Sequence, residues 1–99
     1  MSVRLVITMR AKEGKGGELA KLQAQRCLEM QKEPGCEQFE IFQSAVDPDK
    51  LVLLERWADE NALAVHAEAN RSRPPLPGAA ELRADGAGER EDYEYNRTR

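Results

Sequence analysis

Leu51-Val52-Leu53-Leu54-Glu55-Arg56-Trp57 carries apolar side chains on both of its faces. Successive strand residues point to opposite sides, so Leu51, Leu53, Glu55 and Trp57 share one face and Val52, Leu54 and Arg56 the other. A strand of that kind is central and covered on both sides. One layer of helices covers only one side of a sheet, and the simplest cover for the second is another copy of the chain. The segment therefore predicts an inner strand within a homodimer.

Its neighbours fix the rest of the order. Val3, Leu5, Ile7 and Met9 alternate with Arg4, Val6, Thr8 and Arg10, a first strand. Glu13-Gly14-Lys15-Gly16-Gly17 reads as a turn; its glycines lack the spacing and the Lys-Ser/Thr pair of a phosphate loop. Glu18 to Lys32 is helical, with Leu19, Ala20, Leu22, Cys27 and Met30 on one side, and Ala24 and Leu28 widening it. Glu33-Pro34-Gly35 stops that helix. Cys36 to Val46 reads as a second strand, with Phe39 and Ile41 on one face and Phe42 on the other. Asp47-Pro48-Asp49-Lys50 turns the chain into the Leu51–Trp57 strand.

Asp59 is a good N-cap, and the helix it opens runs to about Ala69 with Ala62, Leu63, His66 and Ala69 on one face. His66, the only histidine, thus turns inward. Asn70 to Gly88 breaks the pattern through Arg71-Ser72-Arg73-Pro74-Pro75-Leu76-Pro77-Gly78, leaving one or two helical turns at Ala79–Ala84 and another break at Asp85–Gly88. Arg90 to Arg97 is a last strand, with Tyr93 and Tyr95 on one face. The order is β-α-β-β-α-β, a ferredoxin-like α+β fold: a four-stranded antiparallel sheet with two helices on one face.

At 99 residues this is one domain, 1–99, small enough that association is a common remedy for marginal stability. A net charge of −3 gives no bulk attraction for nucleic acid or an anionic membrane. The longest apolar run, Leu51–Leu54, is too short to span a bilayer, and no signal-peptide pattern opens the chain, so a cytoplasmic location is expected. Cys27 and Cys36, with a single histidine, do not make a zinc site of the usual kind; two small buried thiols are expected.

Glu33-Pro34-Gly35-Cys36, the Asp-Pro-Asp turn, Val52–Trp57 and Asp59-Glu60-Asn61-Ala62-Leu63-Ala64-Val65-His66 together resemble the antibiotic biosynthesis monooxygenase family over residues 3–69. That resemblance implies a dimeric α+β barrel in which two sheets close face to face. It implies relatives that oxidise aromatic polyketides and quinols without metal, flavin or nicotinamide, so no cofactor is expected. It also includes haem-degrading enzymes, which use a later histidine and an asparagine on the first strand. This chain has neither, and haem degradation is not expected. Where relatives continue into a further helix, this chain has the Arg- and Pro-rich segment 70–77.

Cofactor-free oxygenation needs an electron-rich phenol or hydroquinone, a dry cavity, a proton acceptor and donors that hold the anion. His66 is the candidate base, with an ordinary pKa of about 6.5; the alternative is a packed histidine bonded to a carbonyl or carboxylate. Trp57 is a candidate stacking surface or a core residue. Asn61, in the first turn of its helix, Tyr93 and Arg71 are candidate substrate contacts, with Arg71 and Arg73 suited to gate an anion. Glu55 is expected at the dimer seam or paired with an arginine, with a catalytic carboxylate as the lesser alternative. The expected activity is oxidation of a quinol-like or polycyclic aromatic substrate with O2, and the expected partners are that small aromatic or hydrophobic substrate, O2 and a second copy of the chain. A non-oxidative isomerase or degrader of a small metabolite, and a non-catalytic dimer that binds a hydrophobic molecule, are the competing readings.

Overall fold

The computed structural model describes residues 2–84 and 89–95. Four strands form one antiparallel sheet: β1 (Ser2–Arg10), β2 (Cys36–Gln43), β3 (Lys50–Trp57) and β4 (Glu89–Tyr95). Helices α1 (Gly16–Met30) and α2 (Glu60–Arg71) and a single turn, α3 (Ala79–Leu82), complete the order. The strands lie as β2-β3-β1-β4, so β3 is an inner strand, as its two apolar faces require. This is the ferredoxin-like α+β arrangement.

Register decides which side chains meet. Val3 faces Trp57, Leu5 faces Glu55 and Met9 faces Leu51 across the β1–β3 ladder. That face is covered by the helices, and Leu5, Leu51 and Trp57 are almost or wholly inaccessible there, packed with Leu19, Cys27 and Met30 of α1. Ala62 and Leu63 of α2 pack against the same core. The opposite face carries Val6, Val52, Leu54 and Phe42; the first three are half-buried and Phe42 is exposed.

Several boundaries move for identifiable reasons. α1 begins at Gly16, inside the expected glycine turn. The Asp49 carboxylate accepts the N–H of Gly14 and of Gly16, each at 3.0 Å, and satisfies donors that a helix start leaves open. The β2–β3 turn comes so close that a Cβ at position 16 would lie 1.8 Å from the Pro48 carbonyl oxygen. The glycines admit this turn. β2 ends at Gln43 because the Ser44 hydroxyl accepts the N–H groups of Val46 and Asp47 and starts the turn early. α2 does not stop at Ala69 but runs to Arg71, because Pro74 restricts only the residue before it, Arg73. Leu28 is 63% exposed, since α1 lies over β2, an edge strand, and its outer flank has no sheet beneath it. Ala69 is exposed too; α2 meets the sheet through Ala62, Leu63 and His66. The Asp59 cap is present, its Oδ1 accepting the Ala62 N–H at 2.8 Å. The last strand spans Glu89–Tyr95; Asn96, Arg97, the Asp85–Gly88 break and the side chain of Tyr95 lie outside the described residues.

Candidate functional site

Beneath α2 three rings meet. Trp57, wholly buried, presents its edge to Phe39 at a centroid distance of 6.4 Å and 81°. His66 lies over the indole at 4.5 Å with a 31° tilt, and 5.7 Å from Phe39. The indole Nε1–H donates to Glu55 Oε1 at 2.9 Å, which holds a carboxylate inside the core with a neutral donor. Glu55 and Trp57 share the inner face of β3, and both are buried. Glu55 is therefore beneath the helices rather than at an intersubunit seam, because its register partner Leu5 belongs to the helix-covered face.

His66 stands between two carboxylates. Its Nδ1 is 2.8 Å from Glu33 Oε2, and its Nε2 is 4.0 Å from Glu55 Oε1. Glu33 reaches it across 33 residues of sequence through the turn that ends α1. Gly35 takes φ +79° in that turn, and its carbonyl accepts the Ala58 N–H at 2.8 Å. A Cβ on Gly35 would lie 2.5 Å from the Ala62 Cβ, so only glycine lets the turn settle against the first turn of α2. Arg73 Nη2 lies 3.8 Å from the other Glu33 oxygen, and its Nη1 donates to Asn70 Oδ1 at 2.9 Å. A carboxylate fixed on Nδ1 selects the tautomer that carries its proton there and leaves Nε2 as the acceptor.

A cavity of about 240 Å3 opens beside this group. Leu5, Ile7, Leu63 and Ala67 give it an apolar wall, and Glu55, His66, Asn70, Arg71 and Arg90 line the remainder. The apolar pocket expected from the sequence is thus half polar, because α2 extends far enough to bring Asn70 and Arg71 over it. Of the predicted site residues, His66 and Arg71 come together here. Trp57 backs the histidine and has no exposed surface. Asn61 is exposed on α2 and is not among the lining residues. Tyr93 is opposite Arg4, on the face away from the helices, where its hydroxyl donates to Glu91. The Glu91 carboxylate beside it pushes the Tyr93 phenol up.

Two residues of the site escaped sequence reasoning. Arg90 enters through the β1–β4 register, opposite Ile7. Glu33 had a readable signal. It follows the C-terminus of α1, which has no basic residue in its last turn, and a carboxylate there opposes the helix dipole. A locally unfavourable residue is one that a site elsewhere can explain.

Both cysteines are free. Burial pushes the Cys27 thiol up to about 11 and also raises Cys36, with Glu55 and Glu33 adding to the latter. Protonated thiols at neutral pH are weak nucleophiles. Among the described residues, no three His, Cys, Asp or Glu side chains are grouped as metal ligands, and no helix is long and apolar enough to cross a membrane.

The family model for antibiotic biosynthesis monooxygenase matches residues 2–73. The chain belongs to the antibiotic biosynthesis monooxygenase family. The matched span contains Glu33, Glu55, Trp57, His66 and Arg71 and ends before α3 and β4, so Arg90 lies beyond it. Solved structures share the fold. A conserved protein from Methanosarcina mazei Go1 superposes with a TM-score of 0.80 at 26% identity, covering 97% of this chain and 94% of its own. A candidate antibiotic biosynthesis monooxygenase from Nitrosomonas europaea does so at 0.73 and 24%, covering 96% and 98%. A second such candidate, from Chloroflexus aurantiacus, gives 0.72 and 21%, covering 100% and 97%. No curated protein matches the chain.

Proposed function

We propose that this chain is a cofactor-independent monooxygenase of the cytoplasm, one domain acting as a homodimer on a quinol-like aromatic substrate. His66 Nε2 takes the proton of a substrate hydroxyl while Glu33 holds Nδ1–H. The imidazolium so formed lies between Glu33 and Glu55, which favours the charge it has gained. The hydroquinone anion then gives electrons to O2. One oxygen atom enters the ring and the other leaves as water, and the quinol supplies all four electrons. The observation that carries this reading is the 2.8 Å Glu33–His66 Nδ1 contact of a histidine that lines the cavity. About 240 Å3 is below the range of roughly 300–1,000 Å3 for drug-sized ligands, and so favours one aromatic ring over a polycycle. In metal-free buffer, a panel of hydroquinones and anthrones is expected to show oxygen uptake matched one-to-one with oxidised product. No uptake with any member would overturn the reading.

A second reading, non-oxidative proton transfer between carbons of a small carbonyl metabolite, draws support from Glu55 standing 4.0 Å from Nε2. A base and a carboxylate on one cavity suit such a shuttle. Entry of solvent deuterium into substrate without oxygen consumption would favour it.

The open face of the sheet supports the dimer. Val6, Val52 and Leu54 are only half-buried within one chain, and Phe42 beside them is 46% exposed. Covering that stripe with its own copy buries like against like. Light scattering at micromolar concentration is expected to give twice the chain mass; a monomer would remove this part of the proposal.

A further inference from the structure

Charged side chains of both signs line the cavity. At one end His66 stands between Glu33 and Glu55. From His66 to Arg71, α2 advances ~7.5 Å at the rise of an α-helix. Beneath it, β1 advances ~7 Å from Leu5, which faces Glu55, to Ile7, which faces Arg90, at the rise of an antiparallel strand. By backbone position both arginines lie beyond the His66–Glu55 level, and Arg71 and Arg90 both line the cavity.

We propose that the substrate carries a permanent anionic group, a carboxylate, on a ring carbon not adjacent to the hydroxyl that His66 deprotonates; this rests on the cavity being the substrate site, as in the reading above. Two guanidinium forks match a carboxylate in shape and charge. The opposite end repels such a group through Glu55, so the two poles admit one orientation and deliver the hydroxyl to Nε2. Arg71 already donates to Glu68 at 2.5 Å. That pair is three-quarters exposed on both sides, so solvent screens it and the guanidinium retains donors for a second anion. The small volume fits a single ring bearing both groups.

The test is calorimetric titration without oxygen, using 2,5-dihydroxybenzoate, hydroquinone and benzoate as probes. The acid is expected to bind roughly 10–100-fold more tightly than hydroquinone, the ratio a charge-assisted hydrogen-bond pair supplies, and benzoate is expected to compete with it. In the double variant R71Q/R90Q the ratio should fall to about one, and in R71K/R90K, which keeps charge without the fork, to an intermediate value. Equal affinities in the wild type, no binding of any probe, or a ratio that survives R71Q/R90Q would overturn the proposal. Oxygen uptake separates it from the oxidative reading. Tight, arginine-dependent binding of an acid that is never oxidised sustains the anion site and counts against oxygenation. Oxidation of hydroquinone with no preference for the acid does the reverse.

Discussion

Replacing His66 by glutamine is expected to lower turnover of a hydroquinone by about 10²–10⁴-fold, the range for loss of a positioned general base. Glutamine is the informative choice. It approximates the reach of the imidazole and keeps a polar group near the Nε2 position, but it cannot take a proton at the cavity. An alanine would also open a void against Trp57 and Phe39, whose rings lie 4.5 and 5.7 Å away, and would mix a packing defect with the chemical one. Glu33→Gln provides the partner measurement. The amide can offer either an oxygen or an N–H to Nδ1, so the tautomer is no longer selected, and disruption of such a carboxylate–imidazole pair costs up to ~10⁴ in rate. Both changes should lower kcat with little change in KM, the signature of an interaction made in the transition state. Circular dichroism and melting temperature check that the fold survives. Turnover within threefold of the wild type in His66→Gln would exclude His66 as the base.

The sequence showed the inner strand, the capped helix and the inward histidine because each is written in a local period. β3 alternates two apolar faces, and the structure places it inside the sheet. Asp59 caps α2, and His66 follows at helical spacing on the face that packs. What periodicity does not carry is the partner across the gap. It puts Glu55 and Trp57 on one face of β3 but does not say whether helices or a second subunit cover them. Only the β1–β3 register settles that Leu5 and the helices lie there. Likewise Tyr93 and Arg90 belong to one strand, and a single residue of register decides that Arg90 faces the cavity and Tyr93 the open side. Glu33 illustrates the same gap. Its helix-stopping neighbours were plain, but its contact with His66 depends on Gly35 yielding space to Ala62, a tertiary fact with no periodic trace. The proline-rich stretch misled in a simpler way, by ending α2 two residues early and hiding Arg71 in an imagined loop.

The largest effect on stability is expected at Trp57. Its ring is wholly buried between Phe39 and His66, so Trp57→Ala removes a large apolar volume at a cost of about 3–5 kcal/mol. Domains of this size have only ~5–15 kcal/mol of total stability, and each kcal/mol moves the melting temperature by ~4–8 °C. A fall of roughly 12–40 °C is therefore expected, measured by thermal melting and checked by urea unfolding. Trp57→Phe separates the two roles of the indole. Phenylalanine keeps most of the packing but cannot donate to Glu55, which then loses a buried hydrogen bond worth about 1–3 kcal/mol. The same change removes one of the contacts of the carboxylate that stands 4.0 Å from His66 Nε2. Trp57→Phe should consequently melt closer to the wild type than Trp57→Ala yet still turn over slowly, because the carboxylate facing the base loses the indole donor that helps to orient it. If Trp57→Ala melted within ~5 °C of the wild type, a shift worth about 1 kcal/mol, the indole would not be the support on which the His66–Glu55 arrangement rests.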